Sequence, residues 1–180
     1  DDKLLVYVDD VQTADKSLSA DANALTTALC ASLGREKRLD VMCAPDVKQI
    51  LSFAATAAMV GTDTAKGPGG AVQDRLDRTK AVVSASFKKD GGKLVLVIKA
   101  GPKAADAQAA ALYSDKPVIA LEQRSDTPRQ LLDVLPALSS KIDAALLAPS
   151  SAASTTAPPA PLLPKAAGAK NKPVKQASGW

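Results

Sequence analysis

The chain has 180 residues, 46% of them hydrophobic but only 3% aromatic, with no histidine and a formal net charge of +4. The missing imidazole excludes Ser/His/Asp and Cys/His nucleophilic catalysis, most catalytic zinc sites and a histidine proton shuttle. All 19 acidic residues precede residue 150, whereas Lys165, Lys170, Lys172 and Lys175 follow it with no acid among them, so the net charge sits in the tail. A neutral domain lacks the clustered basic face that nucleic acid requires, and five scattered aromatics make no stacking platform, so no nucleic-acid partner is expected.

Residues 4–8, Leu-Leu-Val-Tyr-Val, read as a buried central strand closed by a polar turn at Asp9 and Asp10. A helix follows, with Ser19 as its N-cap, Asp21 at the positive end of its dipole and Ala22, Leu25, Leu29 and Leu33 on one face. Gly34 is placed to end it in the left-handed conformation. Residues 39–43 read as a second strand. Pro45 then opens a helix whose stripe of Val47, Ile50, Leu51, Ala54 and Ala58 runs to about Val60, with Lys48 and Gln49 on the wet side.

Residues 61–70 are rich in Gly and small polar residues and read as a loop. Val72 and Leu76 seat a short helix whose Asp74, Arg75, Asp77 and Arg78 face water as a surface charge lattice. Residues 81–87 and 94–98 read as two strands joined through Lys89, Asp90, Gly91 and Gly92, a hairpin turn by composition. Residues 104–112 are Ala-rich and read as helical, bounded by Pro102 and Pro117. A strand is expected at 118–121. Thr127 then caps a last helix with Pro128 at its first position; Leu131, Leu132, Leu135, Leu138, Ile142 and Leu146 form its buried stripe, and Pro136 is expected to kink it. This order implies an α/β domain over 1–148, a mixed sheet of about five strands with helices packed on it. Residues 149–180 read as a flexible basic Pro/Ala-rich linker.

Cys30 and Cys43 are too few for a zinc site and leave two readings open, buried apolar residues or one disulfide. A disulfide fits an extracytoplasmic compartment. The start at Asp1 leaves open a mature form freed of a signal peptide or a trimmed chain. No apolar run reaches membrane-spanning length.

The helix end at Leu29, Cys30, Ala31, Ser32, Leu33 and Gly34, the stretch from Asp40 through Cys43, Pro45, Asp46 and Val47 to Leu51, and the hairpin of residues 81–97 resemble the TolB amino-terminal and CsgG-like periplasmic domains, as found in deltaproteobacterial envelope proteins. The likeness covers roughly residues 3 to 147 and rests on structural motifs. It implies an exported domain that acts in envelope assembly or protein contacts without a catalytic site. The long loop at 62–69 and the Ala-rich segment at 103–111 depart from that pattern. The tail resembles linkers in which Lys, Pro and Ala lead to a Trp at a membrane edge, which implies an anchor beyond Trp180.

Among candidate sites, Gly67, Gly69 and Gly70 precede a short helix and form an anion loop or a plain connector; the P-loop ending Gly-Lys-Ser/Thr is absent. Asp9 and Asp10 make a weak magnesium site or a solvated turn. Ser84 and Ser86 lack a general base nearby in sequence and read as edge or surface serines. Lys165, Lys170, Lys172 and Lys175 are tether charges, bringing the chain close to a membrane or serving solubility. The expected function is a non-catalytic, periplasmic or otherwise extracytoplasmic scaffold that docks an envelope protein and uses no cofactor. The alternative is a small-ligand or nucleotide-binding module using the loop at 67–70.

Overall fold

The computed structural model describes residues 2–61, 67–104, 114 and 116–148. In chain order these form β1 (Leu4–Gln12), a 3-10 turn (Lys16–Leu18), α1 (Ser19–Gly34), β2 (Leu39–Cys43), α2 (Ala44–Met59), α3 (Pro68–Arg78), β3 (Ala81–Asp90), β4 (Lys93–Pro102), β5 (Ile119–Ser125) and α4 (Pro128–Leu147). All belong to one unit, Asp1–Ala148. The expected tail linker with its four lysines, the expected helix from residue 105 onward and most of the loop at 62–69 lie outside the described residues.

The five strands make one mixed sheet in the order β2-β1-β3-β4-β5. β2, β1 and β3 are parallel, while β3, β4 and β5 pair antiparallel. The connections account for the parallel run of β2, β1 and β3 and for the reversal between β3 and β4. Strands separated by helices return in parallel, whereas a two-residue turn can only reverse the chain. That turn is Gly91-Gly92, both at positive φ (56° and 81°), where a side chain would be strained.

One face of the sheet is closed by α1 and α4. Val6, Val8, Val83, Phe87, Leu96 and Ile98 from the strands meet Leu25, Leu29 and Leu33 of α1 and Leu131, Leu135 and Ile142 of α4 in the main core. The other face carries a much smaller cluster, Tyr7, Met42, Ala44, Val47, Leu76 and Val82, beneath α2 and α3. Period-two alternation in β1 sends Val6 and Val8 to the first core and Tyr7 to the second.

Several local expectations change in tertiary context. β1 does not turn at Asp9 and Asp10; it runs on to Gln12, and the β1–β3 register shifts between Val8 and Val11. This bulge lets both aspartates stand clear while Val11 returns to the core, because the long β3 offers partners beyond the first apolar run. Ser19 is the first residue of α1 rather than its cap: Asp15 accepts from the Ser17 amide at 2.9 Å and so starts the chain turning one segment earlier. Gly34 stays helical and Arg35 follows it in right-handed conformation, so no left-handed cap forms. β5 is Ile119–Ser125 rather than 118–121, since β4 supplies partners down to Leu94. Thr127 caps α4 as expected, accepting from the Gln130 amide at 3.4 Å, and the helix runs through the exposed Pro136 to Leu147.

Candidate functional site

Adjacent strands β1 and β2 send their connections to opposite faces of the sheet, β1 into α1 and β2 into α2. Such a switch opens a crevice beyond the carboxyl ends of the strands. The crevice here encloses about 560 Å³ and is lined by Asp10, Gln12 and Thr13 of β1 and its exit, Ser19, Asn23 and Thr27 of α1, and Lys48 of α2. Thr26 forms its buried wall and is committed to structure. Its hydroxyl donates to the Ala22 carbonyl and accepts from the Val11 amide, both at 2.9 Å, pinning α1 to the bulge.

Lys48 pairs through Nζ with the Asp10 carboxylate. That hydrogen bond raises the Lys48 pKa above the ordinary lysine value, against the lowering effect of burial, with the charges of Asp10 and Asp9 adding to it. The Asp9 carboxylate accepts from the Asp10 amide at 2.8 Å. Beneath them, burial first, then the charges of Asp9 and Asp10, pushes the Tyr7 hydroxyl up to about 12. The sequence placed Lys48 on the wet side of α2 and the aspartates in a turn; the fold joins them across the mouth of the crevice. No group of three His, Cys, Asp or Glu side chains that could hold a metal ion occurs among the described residues.

Cys30 and Cys43 form a disulfide with a Cα–Cα separation of 6.0 Å, linking α1 to the end of β2. Cys43 is also the N-cap residue of α2, so this one bond joins elements on the two faces of the sheet. Thr26, Thr27 and Pro45 line both the main crevice and a smaller groove of about 280 Å³ over the disulfide.

The glycine loop has a packing role. Gly67 caps α3, its carbonyl accepting from the amides of Gly70 at 3.1 Å and Ala71 at 3.3 Å. Gly69 is buried, and a Cβ there would stand 2.6 Å from that of Ala54, so its bare backbone lets α3 approach α2. On α3, Arg75 reaches Asp40 of β2 at 2.7 Å and Gln73 donates to Asp77 at 3.2 Å, so the lattice is partly a clamp between elements. Ser84 and Ser86 lie on central β3, not on an edge; Ser84 is half-buried and Ser86 exposed, on the face that α2 and α3 cover in part among the described residues.

The apolar stripe assigned to α2 behaves differently from expectation. Val47 is buried, but Ile50, Leu51 and Ala54 are only partly so and Ala58 is exposed. Phe53 is 69% exposed, Met59 88% and Val60 79%. The small cluster under α2 covers its first turns only, so the last turns outrun their core. No charged residue occurs from 49 to 62, a signal legible in the sequence but masked there by the helical periodicity. No helix among the described residues is long and apolar enough to cross a membrane.

No family model and no curated protein matches this sequence. Among solved structures the chain is similar to a dodecameric PelC variant from Paraburkholderia phytofirmans, with 12% identity and a TM-score of 0.41 over 79% of this chain and 88% of that one.

Proposed function

We propose that the chain is a non-catalytic, extracytoplasmic interaction domain that docks a protein of the cell envelope through the end of α2. The observation that carries this reading is the uncharged helical stretch exposing Phe53, Met59 and Val60. Large apolar side chains at a helix end are normally covered, and exposed ones grouped in an uncharged stretch mark a contact surface. The Cys30–Cys43 disulfide supports an oxidising compartment. The resemblance of its motifs to TolB amino-terminal and CsgG-like domains supports the envelope. Residues 149–180 act as a basic spacer that sets the reach of the domain and brings it close to an anionic surface, in keeping with four lysines and no acid.

Photo-crosslinking in cells from positions 53 and 59, with position 144 on exposed α4 surface as control, tests the reading. One envelope protein captured from 53 and 59 but not from 144 supports it; equal capture from all three, or none, overturns it.

A second reading is favoured by the crevice at the carboxyl end of β1. A small-ligand module would use Asp10, Asn23 and Lys48 there rather than the glycines at 67–70, which are occupied in packing. Thermal-shift screening of polar metabolites and nucleotides decides it, since a ligand at a hundred times its dissociation constant adds about 2.7 kcal/mol. The absence of any shift sensitive to Lys48→Ala retires it.

A further inference from the structure

The sheet has two edges, and they differ. β2 is five residues long and leads within two residues to Pro45. β5 has seven residues in unbroken register with β4, with neither a bulge nor a proline or lysine to blunt it. No described strand pairs with its outer side. Along it, Val118 is 56% exposed, and Ile119 and Leu121 are only half-buried, although both pack toward the main core. A regular edge with unfinished apolar burial is a template for a further strand.

The charges of β5 indicate which strand. On the open face of the sheet it carries Ala120, Glu122 and Arg124, all exposed. If a second β5 pairs antiparallel about a two-fold axis normal to the sheet, opposing residues share a face and each register is centred on one residue. Centring on Glu122 sets Glu122 against itself, and centring on Arg124 sets Arg124 against itself. Centring on Leu121 sets Glu122 against Ala120. Centring on Gln123 sets Glu122 against Arg124 twice, once on each side of the axis. Opposite charges directly across a sheet stabilise the pairing and like charges oppose it. Arg124 now spends Nε on Glu122 of its own strand at 2.8 Å and lies 3.6 Å from Asp90, leaving guanidinium donors for a carboxylate across the edge.

We propose that β5 is a homodimerisation edge: two copies of this chain join their sheets through antiparallel β5 strands in the register centred on Gln123. The interface is isologous. It uses neither α2 nor the crevice, and it stands or falls independently of the partner-docking reading.

Sedimentation of the full chain from micromolar to millimolar concentration tests it. A reversible dimer is expected, with Glu122→Arg and Arg124→Glu each weakening it by about tenfold because each reversal makes both cross-edge pairs repulsive. The double variant restores the dimer. Both positions are exposed, and circular dichroism checks that each variant stays folded. Gln123→Cys is expected to oxidise to a covalent dimer, since only the axial residue faces its own copy, whereas Leu121→Cys is not. The native cysteines are already paired with each other and do not compete. A chain monomeric throughout, a dimer indifferent to both reversals, or a dimer lost only on Phe53→Ser overturns the proposal.

Discussion

The two faces of the sheet are built from the same kinds of residue and solve different problems. Under α1 and α4, side chains of β1, β3 and β4 interlock with those of the helices, and Phe87, Leu96, Leu131, Leu135 and Ile142 are all at most 1% exposed. Under α2 and α3 a six-residue cluster suffices, no described helix covers the sheet beyond it, and the end of α2 exposes Phe53 and Met59. One face holds the domain together; the other, with the bulge and the crevice at its rim, presents groups to solvent. Stability and recognition are divided between the faces because apolar area that is already buried cannot also bind.

Hollowing out each face in turn separates their contributions. Phe87→Ala in the closed core is expected to cost about 3–5 kcal/mol, read by urea denaturation, because the filled surroundings cannot collapse into the space. Opening the disulfide with Cys30→Ser and Cys43→Ser together follows at about 3 kcal/mol, given a loop closed over a sequence separation of 13. A loss well below this would mean that the link between the faces constrains little. Leu76→Ala in the small cluster comes next, at about 2 kcal/mol, the low end for a buried leucine, since α3 can settle. Equal losses for Phe87→Ala and Leu76→Ala would erase the distinction between the faces.

Tyr7 forms the floor of the second face. Its folded pKa, raised to about 12, lies above the ordinary value of 10.0, so the neutral form is the one the fold favours. Its contribution is therefore intact below pH 10 and is lost as pH rises through 10 toward 12. Denaturation midpoints at pH 9 and pH 11 should fall more steeply for the parent chain than for Tyr7→Phe, and parallel curves would contradict the assignment. The smallest effect on stability is expected at the tip of α2. Phe53→Ser should leave the unfolding free energy within about 0.5 kcal/mol of the parent, while abolishing partner capture. A large stability loss there would show that Phe53 belongs to the fold.

Much of the fold was legible because period and punctuation are local. Thr127 and Pro128 mark the start of α4, Gly91-Gly92 marks the hairpin, and the spacing of Leu131, Leu135, Leu138 and Ile142 marks a buried face. The failures are as physical. Asp9 and Asp10 looked like a turn because two carboxylates normally end a strand, but the ladder to β3 holds the backbone extended past them. Ile50, Leu51 and Ala54 looked like core because periodicity names a face and cannot say whether anything packs on it. The glycines at 67–70 read as a connector or an anion loop, and their packing role was hidden because the closeness of Ala54 to Gly69 spans two helices.

Local sequence carried the α/β class and most of the described elements, together with the charge division that leaves residues 1–148 neutral and the tail basic. Which pairs meet is a property of the folded sheet: Lys48 with Asp10, Cys30 with Cys43, Gly69 with Ala54, and the outer edge of β5 with nothing among the described strands. Propensities and caps act within a few residues along the chain, whereas a crevice, a core boundary or a free edge is a relation between segments far apart in sequence. Those relations are set by how the whole sheet is covered.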